Sequence, residues 1–368
     1  MPKQERGGTR SLARLTTLLV LMTAWLANAR PARAQSLARV SIDSAVAVDV
    51  FQGQNASDRP NIVIDVTAVV RLGEGWLVYV RPWFRQPRAP EWDKEIYQAA
   101  LQYTRHGSIS TRVDAGYIVS PIGLGMLDTR PGINPVIGTH FSYVQPMPTF
   151  DPGSPRVTPL ASSYPLGGQV TLSTDRWDAR AAVINAAPTR QYVINNSGTN
   201  PKYTPVLVAG GGITPRAGLR FGLSFAHGLY ATSEETARKP PDDRTVSIWN
   251  VEGEWSFGYT KLSGEVTRDR PQTITGTETA YGWFVQGQQT LTPRFFVAAR
   301  QEGASAPPLR TATVVGPRPA MQVTEATVGY RLNTDFTLRS SFQSRKPYTR
   351  RAWDQQVGVS VVWAHRWW

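Results

Sequence analysis

The chain has 368 residues, of which 18% are charged and 10% aromatic, with no cysteine and a formal net charge of +13 at pH 7. The lack of cysteine excludes a disulfide framework, thiolate chemistry and cysteine-ligated metal. Four scattered histidines have no metal-ligand spacing, so we predict neither a metal nor another cofactor. The positive charges are spread along the chain and not gathered on one face, which argues against a nucleic-acid partner.

The amino-terminal segment predicts export. Four basic residues within the first 14 precede an apolar run, LTTLLVLMTAWLANA, and Ala32-Arg33-Ala34 offers a small-residue cleavage site. The apolar run has about 15 residues, fewer than the roughly 20 that a membrane-spanning helix needs. We therefore predict a signal peptide at residues 1–34, with cleavage after Ala27-Asn28-Ala29 as the alternative. Its removal takes away six basic residues and one acidic residue, which lowers the net charge to about +8.

From residue 35 onward, apolar and polar residues alternate with the period of a β-strand. Val46, Val48 and Val50, for example, share one face, and Asp49 lies on the other. Seven short turns are predicted near residues 73–75, 106–108, 174–175, 215–216, 257–258, 293–294 and 334–335. Eight longer polar or proline-rich stretches alternate with them, at about 52–60, 86–93, 121–165, 187–203, 231–243, 270–276, 303–320 and 346–352. These fifteen connections join sixteen strands.

The strands predict a membrane barrel. Residues 35–368 contain no long apolar run, and strands satisfy their backbone groups in hydrocarbon only by closing into a barrel. A soluble β-sandwich or propeller would also alternate, but its inner faces would be apolar, whereas here the supposed inner faces carry small or polar residues. We therefore predict an all-β fold, a transmembrane antiparallel β-barrel of about 16 strands, over residues 35–368.

This pattern resembles the bacterial outer-membrane porins in its signal peptide, short turns, long loops and a last strand, VGVSVVWAHRWW, that ends on an aromatic residue. The resemblance implies a bacterial outer-membrane location, contact with lipid and lipopolysaccharide, recognition of the last strand by the barrel-assembly machinery, and a homotrimer. In that family the apolar positions of the last strand usually share the parity of the final aromatic residue. Here Val357, Val359, Val361 and Trp363 share the parity of Trp367, so Trp368 is one residue extra. VDAGYIVSPIGLG (113–125) is similar to phosphate-selective porins, although the chain lacks the lysine cluster expected of them.

A sixteen-stranded barrel is wide enough to hold an aqueous channel. With the apolar parity outward, the inward basic residues are Arg81, Arg85, Arg112, Arg180, Arg220, Arg300, Arg331, Arg339 and Arg345. The inward acids are Asp65, Asp114, Asp178, Glu252, Glu254, Glu265 and Glu325. Because basic groups outnumber acidic ones, we predict a passive pore for small polar solutes with a mild preference for anions. All of these arginines except Arg345 are predicted to be its pore-lining, anion-binding residues. Alternatively, neighbours such as Arg112 with Asp114, or Arg180 with Asp178, pair only to stiffen the wall.

The longest connection, 121–165, has 45 residues and nine prolines, which forbid regular strands. In porins the third loop folds into the barrel and narrows it, and the resemblance implies the same constriction here. The alternative is an external loop that covers the barrel mouth or contacts a neighbouring subunit.

Two other classes of function compete with a pore. His140-Phe141-Ser142 has the His-x-Ser spacing of outer-membrane phospholipase A, in which histidine activates a serine nucleophile. It lies in the proline-rich loop with no asparagine obviously placed to orient the imidazole, so we predict no catalytic residue. The other alternative is a structural or adhesion barrel plugged by its loops. Gly210-Gly211-Gly212 precedes no helix and is therefore predicted to thin or bend the wall and not to bind phosphate.

Overall fold

The computed structural model describes residues 40–53, 60–88, 91–124, 130–148, 155–162, 164–190, 205–233, 243–274, 276–308, 316–348 and 352–367. The predicted signal peptide, Trp368 and parts of the long connections lie outside these described residues. Phe141–Val144 forms a short helix. Within the described ranges, no helix is long and apolar enough to cross a membrane.

The alternating segments form antiparallel strands in a single sheet. In chain order they are β1 (Val40–Gly53), β2 (Asn61–Gly73), β3 (Trp76–Arg88), β4 (Glu91–Arg105), β5 (Ser110–Tyr117), β6 (Leu166–Ser173), β7 (Trp177–Ile184), β8 (Val206–Arg216), β9 (Leu219–Ala231), β10 (Arg244–Phe257), β11 (Thr260–Thr273), β12 (Gly276–Thr277), β13 (Ala280–Thr290), β14 (Phe295–Ser305), β15 (Ala320–Arg331), β16 (Phe336–Lys346) and β17 (Asp354–Arg366). Strand β12 is a two-residue extension paired with the end of β11, which also pairs with β13. The other sixteen strands form the wall, and the predicted sixteen-stranded barrel is confirmed.

The sheet closes because β1 pairs with β17 on one side and β2 on the other. Closure leaves no open edge among the described strands, as hydrocarbon requires. Val357, Val359 and Val361 are exposed on the outer face of β17. Trp367 continues this outward row, and its Nε1–H donates to Ser44 Oγ at 2.8 Å. The last described tryptophan thus belongs to the lipid-facing surface and is tied to the first strand.

One predicted connection, 86–93, is wrong in extent. Strand β3 runs to Arg88 and β4 starts at Glu91, so only two residues separate them. The pairing of β3 with β4 also shifts between Arg81 and Pro82. Proline has no N–H for the ladder, and a bulge accommodates it. The shift leaves Tyr97 without a partner in the register and directs it into the barrel beside Arg81.

We call the barrel end with long connections the loop end and the opposite one the turn end. At the loop end, the inner faces of β7–β10 are apolar, contrary to the expectation of small or polar inner residues. The buried members of this core on the wall are Ala182, Ile184, Val206, Val208, Ala226, Val246 and Ile248. They pack against Ile118, Ile122, Met147, Val157 and Ala161 from the connection between β5 and β6. These apolar wall residues would face water in an open lumen, and the connection between β5 and β6 covers them instead.

Candidate functional site

The described residues of 118–165, which we call the inner loop, lie inside the barrel. The backbone N–H of Ile118 donates to the Pro165 carbonyl at 3.0 Å, so the two ends of the segment meet where it leaves the wall. Ile122, Val136 and Leu160 are fully buried. An irregular backbone in this position needs hydrogen-bond partners for its N–H and C=O groups, and the wall provides them.

Glu325 on β15 holds the middle of the inner loop. Its Oε1 accepts hydrogen bonds from the backbone N–H groups of Ile137, at 3.0 Å, and Gly138, at 2.8 Å. Its Oε2 faces Arg300 Nη2 at 3.2 Å and accepts from Gln343 Nε2 at 3.3 Å. Hydrogen bonds to a buried carboxylate are stronger than those between neutral groups, so this residue clamps the loop to the wall.

Two more wall carboxylates act in the same way. Glu302 accepts from the backbone N–H of Phe141 at 3.2 Å and of Ser142 at 2.8 Å. Glu265 Oε2 accepts from the N–H of Leu124 at 2.8 Å. Both glutamates are fully buried. Glu265, Glu302 and Glu325 therefore bind loop backbone.

Two of the predicted arginines complement these acids by donating to loop carbonyls. Arg300 Nη2 donates to the carbonyl of Gly138 at 3.0 Å and of Thr139 at 3.1 Å. Arg339 Nη1 donates to the carbonyl of Asn134 at 2.7 Å. Both arginines are on the inner face, as the parity predicts, but they are almost fully buried under the loop. They anchor the loop, and their anion-binding role stays a prediction.

Arg81 and Arg112 also lie inward and are paired. Arg81 contacts Asp65 through two nitrogens, at 2.8 and 2.6 Å, and both side chains are buried. Arg112 Nε donates to Asp114 Oδ2 at 2.9 Å, with the arginine half exposed. The proposed pairing of Arg112 with Asp114 is therefore present.

Arg180 and Arg220 form a network with a different pairing from the neighbour pairs of the sequence. Arg220 Nε donates to Asp178 Oδ1 at 2.9 Å, and its Nη1 donates to Glu252 Oε1 at 2.6 Å. Arg180 Nη2 reaches the same Glu252 at 3.2 Å. Asp178 thus pairs with Arg220 on β9, across the intervening strand β8, and not with Arg180 two residues along β7.

The glycine triplet makes room for this network. A Cβ atom at Gly210 would meet Ser224 Oγ and Arg180 Nε, and a Cβ atom at Gly212 would meet Arg220 Nη2. Both arginines therefore lie flat against strand β8. The prediction of a thin wall at these residues has a physical reason, since side chains there would displace the guanidinium groups.

A cavity of about 350 Å³ separates the inner loop from the wall formed by β1–β4. The charged residues that line it are Arg81, Arg85, Arg130, Arg339, Asp49, Asp93 and Glu95. Arg85 on the wall donates from Nε to Asn61 Oδ1 at 3.1 Å. Arg130 belongs to the inner loop, and burial together with nearby Arg81 lowers its pKa. The cavity thus has guanidinium groups on both the wall and the loop side.

Aromatic rings form another part of the cavity lining. Trp83 stacks on Tyr97 with ring centroids 4.9 Å apart, and Tyr97 stacks on Tyr164 of the inner loop at 4.5 Å. The Arg81 guanidinium lies 5.3 Å from the centre of the Tyr97 ring. Burial raises the pKa of Tyr164 to about 12, so its phenol is neutral. The aromatic stack thus joins the inner loop to β3 and β4 through uncharged rings.

The remaining predicted arginines lie away from the cavity. Arg331 is near the turn end, where its guanidinium is 4.9 Å from the Phe296 ring centre and donates to the Pro293 carbonyl at 3.2 Å. Arg345 Nε lies 3.8 Å from Asp354 Oδ2, near the loop end. The predicted set therefore spans the height of the barrel and is not one cluster.

The His-x-Ser pair is buried against the wall. His140 Nδ1 lies 4.0 Å from Glu302 Oε2, and its ring meets the edge of Phe284. Burial, with the nearby charge of Arg300, lowers the pKa of His140 well below its usual value, so the imidazole is neutral. Ser142 Oγ has no hydrogen-bond partner in the described part of the chain. The described geometry therefore contains no His140–Ser142 hydrogen bond.

Sequence reasoning missed several residues of the site. Glu302 shares the parity of Arg300 on the same strand, and that signal could have identified it. Asp93 and Glu95 were missed because the bulge in β4 reverses their parity. Arg130 was missed because no periodicity orients a residue in an irregular loop.

No family model matches the sequence, and no curated protein matches it. Solved structures match most of the chain. In vitro folded OmpT, an outer membrane protein of Vibrio cholerae, has a TM-score of 0.55 at 11% identity, covering 89% of this chain and 97% of its own. Salmonella typhi OmpF, in a complex with daunomycin, has a TM-score of 0.58 at 10% identity, with coverages of 89% and 97%. An anion-selective porin from Comamonas acidovorans has a TM-score of 0.50 at 11% identity, with coverages of 89% and 99%.

These likenesses, at about one residue in ten identical, establish the fold alone: the chain has the antiparallel transmembrane β-barrel fold of these proteins.

Proposed function

We propose that the barrel is a porin of the bacterial outer membrane, which forms a passive aqueous channel for small polar solutes. The observation that carries the proposal is the cavity between the inner loop and β1–β4, which the wall carboxylates and arginines hold open by fixing the loop on the opposite side. In this proposal the inner loop is the constriction. The anion-selective porin among the similar folds supports the same class of function.

The proposed selectivity is a mild preference for anions. Four arginines and three carboxylates line the cavity, and Asp65 neutralises Arg81 from behind. Arg130 Nε lies 4.0 Å from the same Asp65, at the limit of an ion pair. Arg85 and Arg130 are therefore the groups that an anion meets from the wall side and the loop side. A guanidinium binds an oxyanion through two parallel hydrogen bonds. Because the carboxylates nearly balance the arginines, strong selection for one anion is not part of the proposal.

The test is a planar-bilayer recording of the refolded chain (residues 35–368) under a potassium chloride gradient. We expect discrete conductance steps and a reversal potential that favours chloride. A silent bilayer that contains folded protein would favour the loop-plugged structural or adhesion barrel. Ser142→Ala tests the hydrolase alternative: we expect the same conductance and no change in any lipid hydrolysis, whereas a hydrolytic activity lost in Ser142→Ala would contradict the proposal.

We also propose that the barrel assembles as a homotrimer and that the barrel-assembly machinery recognises its last strand. One of the similar OmpT structures is described as a trimer form, which supports a homotrimer here. The exposed aliphatic face of β17, which Trp367 continues, supports recognition by the barrel-assembly machinery.

A further inference from the structure

Within the described strands, the outer face of the barrel carries basic side chains and no acidic ones. Every described carboxylate on a strand has inward parity, whereas the basic residues Lys94, Arg105, Arg216, Arg268, Arg270 and Lys346 have outward parity. Charges on this face are costly in hydrocarbon and are tolerated where the bilayer meets water. An outer surface whose described charges are all positive favours anionic partners.

Arg268 and Arg270 are the closest pair in this set. They are two residues apart on β11 and therefore on the same side of the sheet, with Cα atoms about 7 Å apart. Both are exposed, and neither guanidinium has a hydrogen bond or ion pair with another described residue. The pair is thus available to a ligand outside the protein.

Their neighbours place the pair at the edge of the apolar band. Below Arg268 on the same face, Leu262 and Val266 are 40% and 51% exposed and form part of the lipid-facing surface. The strand register sets Arg268 between Trp249 on β10 and Tyr281 on β13. Tryptophan and tyrosine collect at the membrane interface. The arginines therefore lie at the depth of lipid headgroups, on the loop side.

Polar groups extend the site in the direction of β9. The register sets Arg270 beside Ser247, and Ser247 beside His227. Ser247 Oγ and His227 Nδ1 are hydrogen-bonded at 2.9 Å. Three strands thus present two guanidinium groups, a hydroxyl and an imidazole in adjacent positions on a surface that otherwise faces lipid.

We propose that Arg268 and Arg270, with Ser247 and His227, bind the phosphate groups of lipid A, the phosphorylated glycolipid of the outer leaflet. Guanidinium groups suit phosphate because they donate two hydrogen bonds in one plane. A second copy of this chain is a poorer partner, since the described strands of its outer face have no carboxylate to offer. The proposal does not depend on whether the barrel conducts.

Native mass spectrometry of the refolded chain, titrated with diphosphoryl lipid A in detergent, tests this site. The variant is Arg268→Gln with Arg270→Gln. The charge-matched control is Arg105→Gln with Arg216→Gln, two exposed arginines at the turn ends of β4 and β8. Heat-modifiable migration on gels confirms that each variant is folded. We expect the double variant to lose about tenfold or more in lipid A affinity, as the removal of charge-assisted hydrogen bonds predicts, and the control less than about twofold.

Equal affinity in the double variant and the unmodified chain would overturn the proposal. So would an equal loss in the control, because attraction would then be due to overall charge. A change of oligomeric state in the double variant, with lipid A binding unaltered, would assign the surface to a contact between copies and overturn it as well.

Discussion

Glu325→Ala should release the inner loop from the wall. The change leaves the N–H groups of Ile137 and Gly138 without their acceptor, at a cost of roughly 1–3 kcal/mol for each buried group. Arg300 keeps Glu302, whose Oε1 lies 3.3 Å from its Nε, so we count only the loop bonds. A loss of about 3 kcal/mol in the docked state raises the ratio of undocked to docked loop roughly 100-fold.

Two assays report the undocked loop. In a planar bilayer we expect a second, larger conductance level, because the lumen is wider without the loop. Trypsin should also cut after Arg130 or Arg156, which both lie in the inner loop. The control is Glu254→Ala, a lumenal glutamate that is 37% exposed and lies 3.9 Å from Lys261, away from the loop contacts described above. If Glu325→Ala and Glu254→Ala have the same conductance and the same resistance to trypsin, the carboxylate clamp does not hold the loop.

Three further predictions concern the wall, the cavity and the loop histidine. Gly212→Ala should lower the free energy of unfolding by about 1–3 kcal/mol, because the added Cβ atom displaces Arg220. Denaturant titration followed by tryptophan fluorescence measures this loss, and the control Ala209→Val, at an outward-facing position, should show none. Arg85→Gln should move the reversal potential away from chloride, and a shift no larger than that of Arg105→Gln would contradict the charge filter. The pKa of His140 is lowered while the loop is docked, so the imidazole takes up a proton when the loop undocks. Below about pH 6.5 the docked state is therefore destabilised by up to about 1.4 kcal/mol per pH unit. The large-conductance level should become more frequent as the pH falls, and this pH dependence should be weaker in His140→Phe.

The barrel could be predicted from the sequence because its strands and turns are determined by neighbouring residues. Alternation decides which side of a strand each residue faces, and the short turns set where the chain reverses. This local rule placed Arg81, Arg300 and Arg339 on the inner face. It failed in β4, where the bulge at Pro82 changes the parity of Asp93 and Glu95.

The site depends on contacts between distant parts of the chain, which no local pattern specifies. Glu325 binds an N–H group 188 residues earlier in the sequence, and Arg339 binds a carbonyl 205 residues earlier. Counting inward arginines therefore overstated the positive charge available to a solute, because most of these groups are bound to carboxylates or to loop carbonyls. The apolar inner faces of β7–β10 had the same cause: their partners lie in the inner loop.

Cysteine modification during recording tests the solute path most directly, since the chain has no native cysteine. Ser162 lines the cavity on the loop side, so Ser162→Cys, treated in the bilayer with a charged methanethiosulfonate reagent, should lose conductance in discrete steps. Ser340→Cys on the lipid-facing side of β16 is the control and should not respond. A conductance that is unchanged after mass spectrometry has shown that the thiol at residue 162 is fully labelled would contradict a channel between the inner loop and β1–β4.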